Sequence, residues 1–258
     1  MRILITGAAR GIGRAIADRL SRDHDGNGLK LLLVDQHAQE LDDYARVLAP
    51  RCEVIATATG DLTQPQFCAD VAALAVEKLG GMDVFVSNAG GSIHGALKEL
   101  PLEAWNLIIE LNCTATWLLA KGLYEPLKEA GGCIVVISSI AGTHPEAKLG
   151  SYSVSKAAVT MLAQQLAIEW GPDGIRTNII SPGTIHTSNT DRVYRNPEAK
   201  ADRERVVPVR RIGTPDDIAG TVSFLAGPDG RYCNGANFVI DGGFTQTVMS
   251  QLRYVAKT

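Results

Sequence analysis

The sequence has no long apolar run, no paired cysteine motif and little net charge, and each shortage closes off a class of function. No stretch approaches the roughly 20 apolar residues of a membrane-crossing helix. An apolar, β-like run already starts at Arg2, which leaves no space for a secretory leader. The formal charge is only −3 over 258 residues and the basic residues are dispersed, so the positive stripe that a nucleic-acid backbone requires is missing. Cys52, Cys68, Cys113, Cys133 and Cys233 include no C-x-x-C pair and no histidine at metal-ligand spacing, and read as buried thiols in a reducing compartment with no metal site. A cytoplasmic protein without a membrane or nucleic-acid partner is expected. What is present is a globular balance of 45% apolar and 21% charged residues, in a length suited to a single domain spanning 1–258.

Short β-branched and aliphatic runs alternate with segments of helical period, the pattern of an α/β fold whose parallel sheet is covered by helices on both faces. Seven strands are expected at 2–6, 30–34, 53–58, 83–87, 133–138, 176–181 and 237–240. Crossover helices are expected at 11–22, 40–48, 64–79, 102–127, 151–170 and 215–225, where apolar residues recur at three- and four-residue spacing. The result is a doubly wound sheet of Rossmann type. A surface turn is expected at 23–28, and the polar, weakly periodic segment 186–208 reads as a mobile lid.

Thr6-Gly7-Ala8-Ala9-Arg10-Gly11-Ile12-Gly13 sits where the first strand gives way to the first helix. There, backbone N–H groups and the helix dipole can meet a pyrophosphate, and small residues allow the close approach. The spacing is G-x-x-x-G-x-G and not the commoner G-x-G-x-x-G. Asp35 ends the second strand, where a carboxylate can accept hydrogen bonds from an adenosine ribose and repel a 2′-phosphate, which favours NAD over NADP. Arg10 points the other way, since a cation beside the loop could help hold a 2′-phosphate.

Tyr152 and Lys156 are four residues apart in a helical segment, so they share a face, and the ammonium is expected to depress the phenol towards a usable acid/base range. Y-x-x-x-K is weak alone: Tyr124 and Lys128 have the same spacing, with Pro126 between them. Only Tyr152 and Lys156 are preceded, thirteen residues before the tyrosine, by a hydroxyl, Ser139, at the carboxyl end of a strand.

With these residues go Asp61, Asn88-Ala89-Gly90, Asn112, Ser138-Ser139 and Pro182-Gly183-x-x-x-Thr187, in one order over nearly the whole chain. In this the sequence resembles the short-chain dehydrogenase/reductase family, in its single-domain branch. The resemblance implies a cofactor site of Gly7, Arg10, Gly11, Ile12, Gly13, Asp35, Asp61, Leu62, Asn88, Ala89, Gly90, Tyr152, Lys156, Pro182, Gly183, Ile185 and Thr187. Asp61 and Leu62 would contact adenine and the last four named would hold the nicotinamide end. It further implies Tyr152 as proton donor and acceptor, Ser139 steadying the substrate oxygen, Lys156 on the nicotinamide ribose, Asn112 supporting a water relay to Lys156, and no metal. Ala115 departs from the glycine the family often has there, and the tail 245–258 runs past the usual ending at Asp241-Gly242-Gly243.

The expected activity is NAD-dependent interconversion of a secondary alcohol and a ketone, on a sugar, polyol or hydroxylated ring compound. The alternatives are 3-oxoacyl thioester reduction and a regulator that binds NAD without chemistry. His94, His144 and His186 fall on loops at the carboxyl edge of the sheet, where they could touch a polar substrate or simply be solvated. Arg192, Arg195, Arg203 and Arg205 in the lid could attract an anion. Trp117, Leu118, Leu119, Met161, Leu162 and Leu166 fit either the core or a subunit seam, and the resemblance implies a homo-oligomer, usually a tetramer.

Overall fold

The computed structural model describes residues 1–24, 28–188 and 190–247. Part of the expected 23–28 turn, at 25–27, and the tail from 248 on lie outside the described residues. Seven strands, β1 (Arg2–Thr6), β2 (Lys30–Asp35), β3 (Val54–Thr59), β4 (Val84–Ser87), β5 (Cys133–Ile137), β6 (Arg176–Pro182) and β7 (Asn237–Ile240), form one sheet. Its order is β3-β2-β1-β4-β5-β6-β7 and every neighbouring pair is parallel. The order reverses between β1 and β4, which opens a crevice at the carboxyl ends of those strands.

Alternation along the strands feeds two cores. Ile3, Ile5, Leu31, Leu33 and Val135 face α1 (Gly11–His24), α2 (Ala38–Leu48) and, through Ile218 and Val222, α10 (Pro215–Ala226). Leu4, Leu32, Phe85, Ile134 and Val136 face the opposite side, with α3 (Pro65–Leu79), α5 (Ala115–Gly122) and α7 (Tyr152–Trp170). Each such fully buried aliphatic side chain contributes roughly 1.5–3 kcal/mol, which holds the carboxyl edge of the sheet rigid under the loops it carries.

The continuous helix expected over 102–127 is broken. It runs as α4 (Leu102–Ile109), a π-helical turn at Glu110–Thr114, α5, and α6 (Tyr124–Ala130). Pro126 cannot donate to the carbonyl of Gly122 and its ring would crowd that carbonyl, so the chain stops at Leu123 and restarts with the proline in the first turn of α6. The π turn has a different cause, visible in the site. The lid, expected as a loop, carries α8 (Asp191–Tyr194) and α9 (Pro197–Val206). Asn196 caps α9 by accepting from the N–H groups of Glu198 and Ala199, with Pro197 in its first turn. No helix among the described residues is long and apolar enough to cross a membrane.

Candidate active site

The loop after β1 is closed by side chains more than by its own turns. The Thr6 hydroxyl accepts from the N–H groups of Asn88 and Ala89, both at 3.0 Å. Asn88 Nδ2 donates back to the carbonyls of Thr6 and Gly7, at 2.9 and 3.1 Å. A β-carbon on Gly13 would lie 2.1 Å from the Gly7 carbonyl oxygen, so only glycine lets α1 start this close to the strand end. Gly7 and Gly11 have φ of 66° and 58°, the left-handed region. Ile12 packs on the α1-side core. The N–H groups opening α1 therefore face the crevice with their positive dipole end.

β5 and α7 bring the second group together. Ser138 is an anchor: its hydroxyl donates to the Lys156 carbonyl at 3.0 Å and bonds Thr160 at 2.8 Å, pinning α7 to the strand end. Ser139, next along, accepts from the Ala141 N–H and turns its hydroxyl to Tyr152. Lys156 is almost wholly buried and its Nζ donates to the Ile137 carbonyl at 2.9 Å. Burial lowers it to about 8. Here the sequence expectation is corrected: burial raises the Tyr152 phenol, and the group that opposes the rise is Ser139. The ammonium sits 5.8 Å from the phenol ring centroid, with its bond directed to β5.

Asn112, 2% exposed, lies on the π turn. Its Oδ1 accepts from the Gly91 N–H at 2.9 Å, while Nδ2 donates to the Gly91 carbonyl and to Ser155 Oγ at 2.9 and 2.8 Å. The widened turn rotates this side chain inward, where it braces the loop after β4 against α7. Gly90 fits beneath it, since a β-carbon there would meet Asn112 Oδ1 at 2.9 Å and Lys156 Nζ at 3.3 Å. Tyr124 and Lys128, the same-spaced pair, instead converge on Asp173, each at 2.7 Å, away from Ser139 and the crevice.

At the β2 end Asp35 is 8% exposed. Its carboxylate accepts from the Ala9 N–H at 3.0 Å and from the His37 N–H and Nδ1 at 3.1 and 2.7 Å. Arg10 faces Glu40 at 3.6 Å. Asp61, exposed after β3, folds its carboxylate onto the Thr63 N–H, whereas the Leu62 side chain is buried in the α3-side core.

After β6 the Gly183 N–H donates to the Ile240 carbonyl, and a β-carbon there would lie 2.6 Å from that of Asp241, which explains the glycine. Ile185 is buried and bridges Gly213, and Thr187 backs onto Gly11. The three loop histidines are exposed and separated. His94 lies on the loop tied to 148–150 by Gly95–Lys148 and Gly150–Gly95 backbone bonds. His144 bonds Thr143, and His186 pairs with Asp191 in a groove of about 590 Å³ between α1 and the start of α10. Arg195 and Arg205 are paired within the lid, to Asp191 and Asp202, so their charge is already met.

The sequence model of a family described as enoyl-(acyl carrier protein) reductase matches residues 7–245. Dehydrogenase/reductase SDR family member 4 of Bos taurus is 34% identical over 242 residues, covering 93% of this chain and 85% of that one. The chain belongs to the short-chain dehydrogenase/reductase family. L-rhamnose-1-dehydrogenase of Scheffersomyces stipitis is 34% identical over 247 residues, 93% of this short-chain dehydrogenase/reductase and 94% of the relative. A short chain dehydrogenase from Burkholderia cenocepacia, solved in complex with NADP, superposes with a TM-score of 0.85 at 32% identity, covering 95% and 97% of the two chains.

As a short-chain dehydrogenase/reductase the protein is an oxidoreductase that uses a nicotinamide cofactor, and its residues fit one. Lys156 has three N–H donors, one accounted for by Ile137. A buried ammonium so poorly served suits a pair of ribose hydroxyls facing it. Three supports escaped the sequence reading: Thr6, Gly91 and Ser155. Only Thr6 left a signal, as a hydroxyl ending an otherwise aliphatic strand.

Proposed function

We propose that this short-chain dehydrogenase/reductase interconverts secondary alcohols and ketones of sugars, polyols or hydroxylated ring compounds, with NAD as its cofactor. The observation that carries the reading is the convergence of Ser139, Tyr152 and Lys156 at the carboxyl edge of the sheet. Tyr152 Oη takes the proton of the substrate hydroxyl in oxidation and returns it in reduction. Ser139 Oγ holds the substrate oxygen, and Lys156 Nζ holds the nicotinamide ribose. Asn112 keeps the wall of the pocket and α7 in register. The loop from Gly7 to Gly13 binds pyrophosphate, with Arg10 and Ile12 at its rim. Asp35 takes the adenosine ribose, Asp61 and the backbone of Leu62 contact adenine, and Asn88, Ala89 and Gly90 line the cofactor. Pro182, Gly183, Ile185 and Thr187 support the nicotinamide, which supplies or accepts the hydride when bound. His94, His144 and His186 stand at the rim as substrate contacts, and 186–208 is the lid of a single domain.

NAD is supported by a buried carboxylate at the β2 end, although the Burkholderia neighbour was solved with NADP. A sugar-like substrate is supported by the rhamnose dehydrogenase relative. The description of the matched family favours acyl thioesters as a second reading. Reduced-nicotinamide absorbance is to be followed over secondary alcohols, polyols, sugars and sugar acids, and in reverse over a 3-oxoacyl thioester, with both cofactors in parallel. NAD-linked turnover of a polyol or sugar is expected; faster NADPH-linked thioester reduction would replace the reading with the second one.

Assembly as a homo-oligomer in the cytoplasm completes the proposal. Leu119 and Leu166 are buried, whereas Trp117, Met161 and Ile168 on α5 and α7 are 43%, 63% and 74% exposed. Such apolar area on two adjacent helices suits a subunit seam. Light scattering is expected to give a multimeric mass, and a monomer at working concentration would reject it.

A further inference from the structure

On the adenosine edge of the cofactor site, each group that could greet a 2′-phosphate is already partnered. His37 Nδ1 bonds Asp35 at 2.7 Å. Arg14 lies over the Tyr44 ring, 4.4 Å from its centroid. Arg10, which directly follows the Ala9 N–H held by Asp35, presents Nε to Glu40 Oε2 at 3.6 Å, with 35% and 52% of the two side chains exposed. Glu40 stands in the first turn of α2, where the helix dipole favours a carboxylate.

We infer that Glu40 is a cofactor-selecting residue that works through Arg10. A ribose diol needs an acceptor, which Asp35 provides, and makes no demand on the guanidinium. A 2′-phosphate needs the guanidinium, and must draw it from Glu40 while standing near two carboxylates. Glu40 therefore acts as a positioning residue: it fixes and neutralises the cation that would otherwise offset Asp35. The inference rests on the NAD preference proposed above and supplies a second determinant for it. Because exposed ion pairs are weak, the discrimination that passes through Glu40 is modest, about fivefold at most.

The test is titration of the protein with NADPH and with NADH, followed by nicotinamide fluorescence, at low and high salt. Wild type is compared with Glu40→Gln, Arg10→Gln and the double variant. Glu40→Gln is expected to raise the ratio of NADPH to NADH affinity about fivefold at low salt. The gain should shrink at high salt and vanish when Arg10 is also replaced, a dependence that general loosening of α2 would not produce. An unchanged or lowered ratio in Glu40→Gln, or a gain that survives without Arg10, overturns the inference. A wild type that binds NADPH as tightly as NADH overturns the NAD preference instead, and leaves the Glu40→Gln step legible on its own.

Discussion

Replacing Tyr152 with Phe is expected to leave NADH binding in place and to cut turnover by about a hundred- to ten-thousandfold. The phenyl ring fills the same space beside Lys156, so the pocket keeps its shape. What disappears is the oxygen that exchanges a proton with substrate, and Ser139, an aliphatic hydroxyl far less acidic than a phenol, cannot replace it as proton donor. The pH dependence sharpens the expectation. Burial raises the phenol above its ordinary value, so near neutral pH Tyr152 holds its proton. Ketone reduction, which needs that proton, should run well there, and alcohol oxidation, which needs the phenolate, should accelerate as the pH rises. In the phenylalanine variant the residual oxidation should lose that rise. Full activity in Tyr152→Phe, or an unaltered pH profile, would move the proton chemistry to another group.

The second large effect is expected to divide stability from function. Lys156→Met should abolish turnover, by at least about a hundredfold, while making the protein without cofactor more resistant to heat. The ammonium is held about 8 by burial, against an ordinary 10.5, a disparity that corresponds to about 3 kcal/mol. Among the described residues its hydrogen-bond return is the bond to the Ile137 carbonyl, of order 1 kcal/mol, beside a distant contact with the Tyr152 ring. A methionine of similar length removes both the burial cost and the bond, and a net gain of about 1–2 kcal/mol would raise Tm by roughly 2–6 °C in a chain of this size.

The pH profile of wild-type stability should carry the same signature. Below about 8 the lysine is charged in both the folded and the unfolded chain, and the burial cost is present in full. Between about 8 and 10.5 the folded protein releases the proton while the unfolded chain retains it, so this residue's contribution to stability improves as pH rises. The methionine variant should lack that rise. A lower Tm for Lys156→Met without cofactor would show that the ammonium supports the fold.

The strands were legible because a parallel sheet covered on both faces favours near-continuous apolar runs, and 2–6 or 237–240 could be read almost to the residue. The helix at 102–127 was not. Its apolar spacing continues through the π turn at Glu110–Thr114, and nothing in the residue types says that one extra residue has been wound in to swing Asn112 inward. Pro126 is the residue behind the second break, which the expectation of one helix over 102–127 passes over, while its place between Tyr124 and Lys128 already sets that pair apart. At 186–208 the absence of an apolar face concealed α9, a helix held by its cap and by surface pairs such as Lys200–Glu204. The cap itself, Asn196-Pro197, was in plain view.

Within the site, motif order located the groups but not their obligations. Asn88 looked like a lining residue and proves to clamp the glycine-rich loop through two carbonyls. Leu62 sends its side chain into the core. The relation of Lys156 to Tyr152 was misjudged because helical spacing fixes who shares a face, while burial decides which way each proton equilibrium moves.

Asp35 has a bearing on redesign. Exchanging a carboxylate at the end of β2 is the obvious route to altered coenzyme choice, yet here one of its oxygens also accepts from the Ala9 amide, inside the loop that must receive the pyrophosphate. A variant that removes the acceptor oxygens together with the charge, such as alanine, would slacken the loop for either coenzyme. Retargeting this scaffold calls for a neutral acceptor such as asparagine at that position, so that selectivity is altered without unfastening the loop.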